Sequence, residues 1–414
     1  MVRSPFFGKV NRNMVLLLGG QFISSLGDHI WALALPWLVY DLTGSSVVMS
    51  GMLAIQYIPQ ILLSVGIGVY VDRTDRRRTM IAFTLIPAAV IATIVLLVYV
   101  DQVSVWILYP AAFVLSVTGL VYGTARDALV PSIASRENLV WANTKLRLVN
   151  SVSKVVGPLL AGMLIGLIGT ANSLTVDALT FIALLLALLA IEVPNGTSPA
   201  PRQRRDFWKE AAEGLTFVRR NQLILQVTIP ILIQNVGAAA AISSLVFFAR
   251  SVLQLTAAAT SLIYTIGAVG TVGLTLLAPI VGKRFSTRSL LPIVFLVSGL
   301  GILGLAVSRT WLEAGIAFAL QTGSAGFLNT LYYSMIQSET PPELLGRVLA
   351  VSTTLARIVS PVTMSLAGIA VAYSDSRTVL LGAAGLVLVT ALVTAFLTYQ
   401  PARRVPAEAS SSQH

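Results

Sequence analysis

Apolar residues in this chain come in long unbroken runs separated by short polar clusters, not in the alternating or one-faced patterns of a soluble protein. Runs of spanning length fall at 14–39, 46–70, 79–100, 104–124, 146–168 and 173–193, then at 222–248, 258–281, 289–308, 311–334, 348–373 and 377–399. About 20 residues of helix cross about 30 Å of hydrocarbon, so each run predicts a membrane-spanning helix. The fold class that follows is an all-α membrane protein of twelve transmembrane helices. The longest polar stretch, Pro194 to Asn221, divides them into two sets of six. This predicts a first six-helix half over 1–193, a linker over 194–221, a second half over 222–400 and a tail over 401–414.

Internal repetition agrees with that division. Lys154-Val-Val-Gly157-Pro158 in the fifth span matches Arg357-Ile-Val-Ser360-Pro361 in the eleventh, 203 residues later. Val281-Gly282-Lys283 through Arg288 stands where Val71-Asp72-Arg73 through Arg78 stands, shifted by 210. Two pseudo-symmetric halves related by an axis along the membrane normal place a substrate site between them near mid-membrane.

Charge then orients the spans. One set of loops holds Arg3, Lys9 and Arg12, the cluster Arg73 to Arg78, Arg126, Arg136, Lys145 and Arg147, the linker arginines, Lys283, Arg284, Arg288, Arg347, Arg403 and Arg404; the other holds Arg250, Arg309 and Arg377. Basic loops stay cytoplasmic, so both termini are expected in the cytoplasm. The formal net charge of +11 is therefore a topology signal facing anionic lipid, not a nucleic-acid surface. Hydrophobic residues make up 56% of the 414, charged residues 11%, and mean hydropathy is +0.83, which leaves no soluble core to expect. With no cysteine and 2 histidines, disulfides, thiol catalysis and Cys/His metal sites are excluded. No span holds a nucleophile–base pair, so neither an enzyme nor a cofactor is expected. The start, MVRSPFFGKVNRN, leads into a run of full spanning length and reads as a retained first helix.

Within the linker, Trp208, Ala211, Leu215 and Val218 recur at helical spacing on a basic segment. Two readings stand: an amphipathic helix on the membrane surface, or a solvated connection.

Where the second run stops, Gly68, Asp72, Arg73, Arg76 and Arg77 match G-x-x-x-D-R-x-x-R-R. This resembles the loop signature between helices two and three of major facilitator superfamily transporters, with Asp75 where that signature has glycine. The resemblance implies the major facilitator fold and a loop that latches the cytoplasmic side when the carrier faces outward. Thr340-Pro341-Pro342-Glu343 reads as a capping box opening the eleventh span, and its positive helix end would attract Asp72. Asp127 is the expected partner of Arg73. The alternative is a loop that serves topology alone.

A charge at the bilayer centre costs about 2.5–3.5 kcal/mol on insertion scales, so ionisable residues inside spans carry function by default: Asp28, Lys154, Arg357 and, less deeply, Asp177. In the first span Gln21, Ser24, Ser25 and Asp28 share one helical face, continued by Trp31 and Leu35. Such a stripe suits a cavity wall, with Asp28 binding a proton or substrate, or else sitting permanently paired. His29 points elsewhere on the helix. Lys154 and Arg357 read either as partners of Asp28 or of an anionic ligand, or as side chains snorkelling to the interface. Gly157-Pro158 and Gly162 resemble the core of the fifth-helix signature of drug/proton antiporters, with Ser153 in a glycine position. Gln56 and Tyr57 in the second span, Gln234 and Asn235 in the seventh, and Asn329 and Tyr332 in the tenth are expected to complete the cavity.

FISSLGDHIWALALPWLVYDLTGS, DRTDRRR, ARDALVPSI and ETPPELLGRV together resemble a bacterial branch of the superfamily that includes macrolide-type efflux pumps and the enterobactin exporters. That resemblance implies export of an amphipathic small molecule by proton antiport, by a monomer whose partners are its substrate, protons and membrane lipid. A lysophospholipid flippase and a non-transporting membrane sensor or partner subunit are the rival readings.

Overall fold

The computed structural model describes residues 12–134, 138–192, 207–342 and 344–399, all helices and short connections. In chain order the helices are α1 (Arg12–Thr43), α2 (Ser46–Leu62), α3 (Ser64–Arg73), α4 (Arg76–Tyr99), α5 (Val105–Ile133), α6 (Leu139–Ala190) and α7 (Phe207–Arg220). They continue as α8 (Gln222–Phe247), α9 (Ala257–Gly282), α10 (Thr287–Val307), α11 (Trp311–Glu339), α12 (Leu345–Tyr373) and α13 (Ser376–Tyr399). Side-chain caps set many of the starts: Ser45 accepts from Val48 N–H, Asn221 from Leu223 and Ile224, Thr256 from Ala259, and Ser286 from Ser289. Each supplies an acceptor to N–H groups that the first turn leaves without a partner.

Nine of the described helices are individually long and apolar enough to cross a membrane. Three further crossings complete the expected twelve. The second span is the bent pair α2 and α3, interrupted at Leu63, whose N–H donates to the Pro59 carbonyl at 2.8 Å. The 52-residue α6 is two spans, because Gly169 adopts φ +82°, a left-handed conformation that favours glycine and ends one helix before the next begins. The 29-residue α11 is the tenth span. The broken second span departs from the continuous helix expected over 46–70. A run of apolar residues reports membrane depth, not backbone continuity, so nothing in its hydropathy marks the break.

In the first six spans α1 packs along α6, and α4 and α5 close the group; in the last six α9 packs with α11, and α10 with α13. Between the two sets, α2 lies against α12 and α6 against α9. One end of the bundle carries the Arg73–Arg78 segment, the start of α1, Glu192 and Arg220, and is called the basic end below. The other carries Asp41, Arg250 and Arg377 and is called the far end.

The linker helix α7 docks on protein. Gly214 lies against the main chain of Arg347, Val218 is buried beside α8 and the start of α12, and Arg347 Nη1 donates to Glu213 Oε2. Leu215, expected on the apolar stripe, is turned outward. Gly214 explains the difference: the close approach to α12 forms where the side chain is missing, one position before the leucine. The side chains of Trp208 and Ala211 lie outside the described residues.

Candidate functional site

A cavity of about 640 Å³ opens among α1, α2, α4, α5 and α6, within the size range of small-molecule sites. Its α1 wall is the predicted stripe: Gln21, Ser24, Ser25, Asp28 and Trp31 all line it, at steps of three and four residues. Gln56 and Tyr57 join from α2. Asp28 is exposed to the cavity and, among the described residues, enters no ion pair. The cavity walls also hold Thr118, Tyr122 and Arg126 of α5 and Asn150 and Asp177 of α6. Arg126 reads in sequence as one more charge of a basic loop; it lies about two turns inside the end of α5, where its side chain borders the cavity.

All of these lining residues belong to the first six spans, whereas the sequence predicts a site shared with the last six. Three residues expected there are occupied elsewhere. Gln234 is 1% exposed and donates to Ser298 Oγ, joining α8 to α10. Asn235 donates to the Ala356 carbonyl at 2.5 Å, joining α8 to α12. Tyr332 is 2% exposed and shares a 2.8 Å hydrogen bond with Thr228. Each polar group was read as a cavity wall, but a buried amide or hydroxyl needs a partner wherever it sits, and neighbouring helices supply one. Asn329 is exposed and lies outside the 640 Å³ cavity.

Lys154 and Arg357 are exposed and form no ion pair with Asp28 among the described residues. Arg357 lies near enough to the Tyr57 hydroxyl to act on it electrostatically, and Lys154 acts likewise on His29. His29 itself packs its ring on Gly157, where a Cβ would collide with it. The fifth-helix motif thus works as a packing surface on both sides. Ser25 Oγ lies 2.5 Å from Ser153 Oγ, binding α1 to α6 at the position where the resembled signature has glycine. Gly162 lets α9 approach, since a Cβ there would overlap the Ser261 side chain. Pro158 is buried between these two contacts.

At the basic end the motif loop acts within the first six spans. Gly68 lies in α3, with open space around its α-carbon. Asp75 replaces the resembled glycine and caps α4, accepting from Arg78 N–H at 2.7 Å. Arg76 donates to the Ala128 carbonyl at 2.9 Å and to Ser132. Arg77 donates to the carbonyls of Leu188 at 3.0 Å and Leu189 at 2.8 Å, closing the last turn of α6. Asp72 and Arg73 are exposed. Asp127 pairs with Arg126 at 2.8 Å, not with Arg73, because its own neighbour on α5 reaches it first. The capping box expected at 340–343 does not open α12: that helix starts at Leu345 behind Leu344, while Thr340 ends α11. Glu343 lies outside the described residues. A capping box does occur at the start of α11, between Thr310 and Glu313.

The far end carries a contact that sequence reading missed. Arg250 Nη2 lies 2.7 Å from Asp41 Oδ1, and its guanidinium stands 4.4 Å from the Trp37 ring centroid and 5.4 Å from that of Tyr40. Arg250 projects from a π-helical turn, Phe248–Val252, that extends α8. Nearby, Ser46 Oγ donates to the Gly368 carbonyl at 2.9 Å, and Gly368 seats directly on Ser50. Together with Gly162 on Ser261, these bonds join the first six spans to the last six. The signal in sequence was Arg250 itself, one of three cations on the poorly charged side.

Known proteins resemble the chain along most of its length. The sequence profile of the Major Facilitator Superfamily matches residues 17–364 and again 238–413. Macrolide efflux protein A of Streptococcus pyogenes is 23% identical over 356 residues, covering 84% of this chain and 87% of that protein. The multidrug efflux pump Tap of Mycobacterium tuberculosis is 26% identical over 365 residues, covering 85% of each. Among solved structures, a bacterial homologue of the iron transporter ferroportin in an inward-facing state superposes with TM-score 0.72 at 15% identity, covering 94% of this chain and 99% of the other. The nucleoside transporter NupG superposes with TM-score 0.71 at 13% identity, over 94% of this chain and 100% of the other. These two establish a shared fold at identities too low to carry a substrate across. The profile covers more than half of the residues, and with the helical bundle it makes this chain a multi-pass membrane transport protein of the Major Facilitator Superfamily.

Proposed function

We propose that the chain exports an amphipathic small molecule of the macrolide or multidrug type by proton antiport, alternating between states open to either end of the bundle. The observation that carries this reading is Asp28: an unpaired carboxyl on the wall of a 640 Å³ cavity, flanked by Trp31, Tyr57 and Gln56. Aromatic faces and amides suit a bulky, weakly polar ligand, and a carboxyl open to the cavity can take up and give back a proton. The names of the two efflux relatives support the cargo class. Cross-contacts at the far end, with Asp72 and Arg73 exposed at the basic end, support a state closed at the far end. The excess of arginine and lysine at the basic end supports a cytoplasmic location for it and for the termini, in a bacterial cytoplasmic membrane. One charge crossing about 100 mV releases about 2.3 kcal/mol, enough for a gradient on the order of 50-fold.

The test is uptake of erythromycin and of ethidium into inverted vesicles under an imposed inside-acid gradient, comparing wild type with Asp28→Asn at matched expression. Asp28→Asn keeps the side-chain volume and removes the acid; uphill accumulation is expected to fall to the level of empty vesicles. Full accumulation by the variant overturns proton coupling through Asp28.

A lipid cargo is the second reading. It is favoured by another cavity, about 940 Å³, among α8, α10, α11 and α13 near the basic end, walled by Ile229, Ile233, Val389 and Val393 with Arg288 and Glu339 on its lining. Movement of a labelled lysophospholipid in the same vesicles, without erythromycin or ethidium uptake, would decide for it.

A further inference from the structure

Asp177 is the other carboxyl of the 640 Å³ cavity, and its surroundings are unlike those of Asp28. It is 0% exposed, and neither of its carboxylate oxygens has a hydrogen-bond partner. Thr180 Oγ1 stands beside them and donates to the main-chain carbonyl of Asp177 at 2.7 Å. The α1–α6 contact is tight here only because residue 27 is glycine, since a Cβ at Gly27 would overlap both Asp177 Oδ1 and Thr180 Oγ1. The acid is therefore held against α1 one residue from Asp28, where residue 27 has no room for a side chain.

Among the described lining residues, the cation that faces it, Arg126, is already engaged by another acid. From α1 comes Asp28, a second acid. From α5 come Tyr122, whose buried hydroxyl also lacks a partner, and Arg126, whose Nε and Nη2 both turn to Asp127 Oδ1 at 3.0 and 2.8 Å. The α2 wall adds Tyr57, the α4 wall Phe83 and Thr84, and α6 itself adds Asn150. His29, with Lys154 beyond it, faces Gly157 on another side of α1. A buried carboxylate without a donor or a free cation loses its solvation with nothing in return, while a neutral carboxyl is tolerated in such a place.

We propose that Asp28 and Asp177 form one proton-binding pair across the α1–α6 contact, in which Asp28 exchanges with cavity water and Asp177 holds a proton in the buried position. The step is a simple proton transfer: an O–H bond forms on a carboxylate oxygen as one breaks on a hydronium ion in the cavity. Two acids so placed titrate as a unit, not as independent sites. The inference deepens the proton-antiport reading and rests on it for its role in transport, but proton occupancy of Asp177 is measurable without any substrate.

The experiment is infrared difference spectroscopy of the purified full-length protein in lipid nanodiscs, stepped through pH in choline chloride. Wild type is expected to show the carbonyl band of a protonated, water-shielded carboxyl that Asp177→Asn lacks and Asp177→Glu retains at a shifted frequency. In Asp177→Asn the midpoint of the remaining Asp28 band is expected to move by about one pH unit or more. A spectrum that Asp177→Asn leaves unchanged overturns the pair. If the Asn variant does not fold, Asp177→Glu carries the test alone, and a band that stays in place overturns the assignment. Loss of the wild-type band when Na⁺ replaces choline at constant pH also overturns it, since the ligand is then a metal cation. Failure of the antiport reading is separately visible as full uphill transport by Asp28→Asn.

Discussion

Arg77 and Arg250, at opposite ends of the bundle, are used in opposite ways. At the basic end a loop dense in charge turns guanidinium groups inward on its own half: Arg76 to the Ala128 carbonyl and Ser132 hydroxyl of α5, and Arg77 to the last turn of α6. At the far end a single arginine, Arg250, crosses from α8 to Asp41 of α1 and stacks over Trp37. The first arrangement stiffens six helices; the second holds two sets of six together. Charge density therefore does not locate the contact between the halves. The reach of each side chain does: α6 offers unpaired carbonyls to Arg77 within one turn, while Arg250 meets a carboxylate and two aromatic faces on the opposite half.

The largest effect is expected from Gly162, which holds the far end together without any charge. Gly162→Val forces a side chain into Ser261 and the Ala257 carbonyl, at a cost of about 1–3 kcal/mol, shifting the ratio of far-end-closed to far-end-open forms on the order of 5- to 100-fold. Because the chain has no cysteine, spin labels can be placed at Leu42 and Gln254 alone. Distances that stay as in wild type would show that the α6–α9 contact does not govern closure.

Arg250→Ala ranks next. A partly exposed ion pair contributes about 0.2–1 kcal/mol and the closer cation–π contact, over Trp37, about 0.5–1 kcal/mol, so the same labels should report a shift of about 3- to 30-fold. Asp41→Asn leaves the rings in place and should do less than half as much. Equal effects from the two variants would show that Trp37 and Tyr40 contribute nothing.

Arg77→Ala sharpens the contrast from the other end. It removes two hydrogen bonds to main-chain carbonyls, about 1 kcal/mol in all, and should lower the melting temperature in nanodiscs by about 2–4 °C with far-end distances unchanged. A far-end distance change would tie the basic loop to the far-end contact. Asp72→Asn should do least, within about 0.5 kcal/mol, since Asp72 is exposed in this state. A loss of stability beyond that range would reveal a partner for Asp72 with the far end closed.

The twelve spans could be read from hydropathy because lipid exposure requires long apolar runs. The cavity face of α1 could be read because Gln21, Ser24, Asp28 and Trp31 repeat at helical spacing in a span where a polar residue is expensive. The same reasoning misplaced Gln234 and Tyr332, which satisfy each other's kind across α8, α10 and α11; a polar residue inside a span signals a partner, and only geometry tells whether that partner is water or protein. Arg126 and Arg250 were hidden by their positions near span ends, where topology alone accounts for a cation. Asp177 was visible as an intramembrane acid, but its burial depends on Gly27 of another helix, a relation that no spacing along the chain encodes.

The docking of α7 has a use of its own. Gly214, Val218 and the Glu213–Arg347 pair fix this helix to α12, while Ala212, Thr216, Arg219 and Arg220 face outward. A synthetic antibody fragment raised against that outward face would grip the last six spans away from the 640 Å³ cavity. It would add rigid mass to one half of a small, featureless membrane protein for particle imaging, and a tilt of the fragment between images would report the tilt of that half directly.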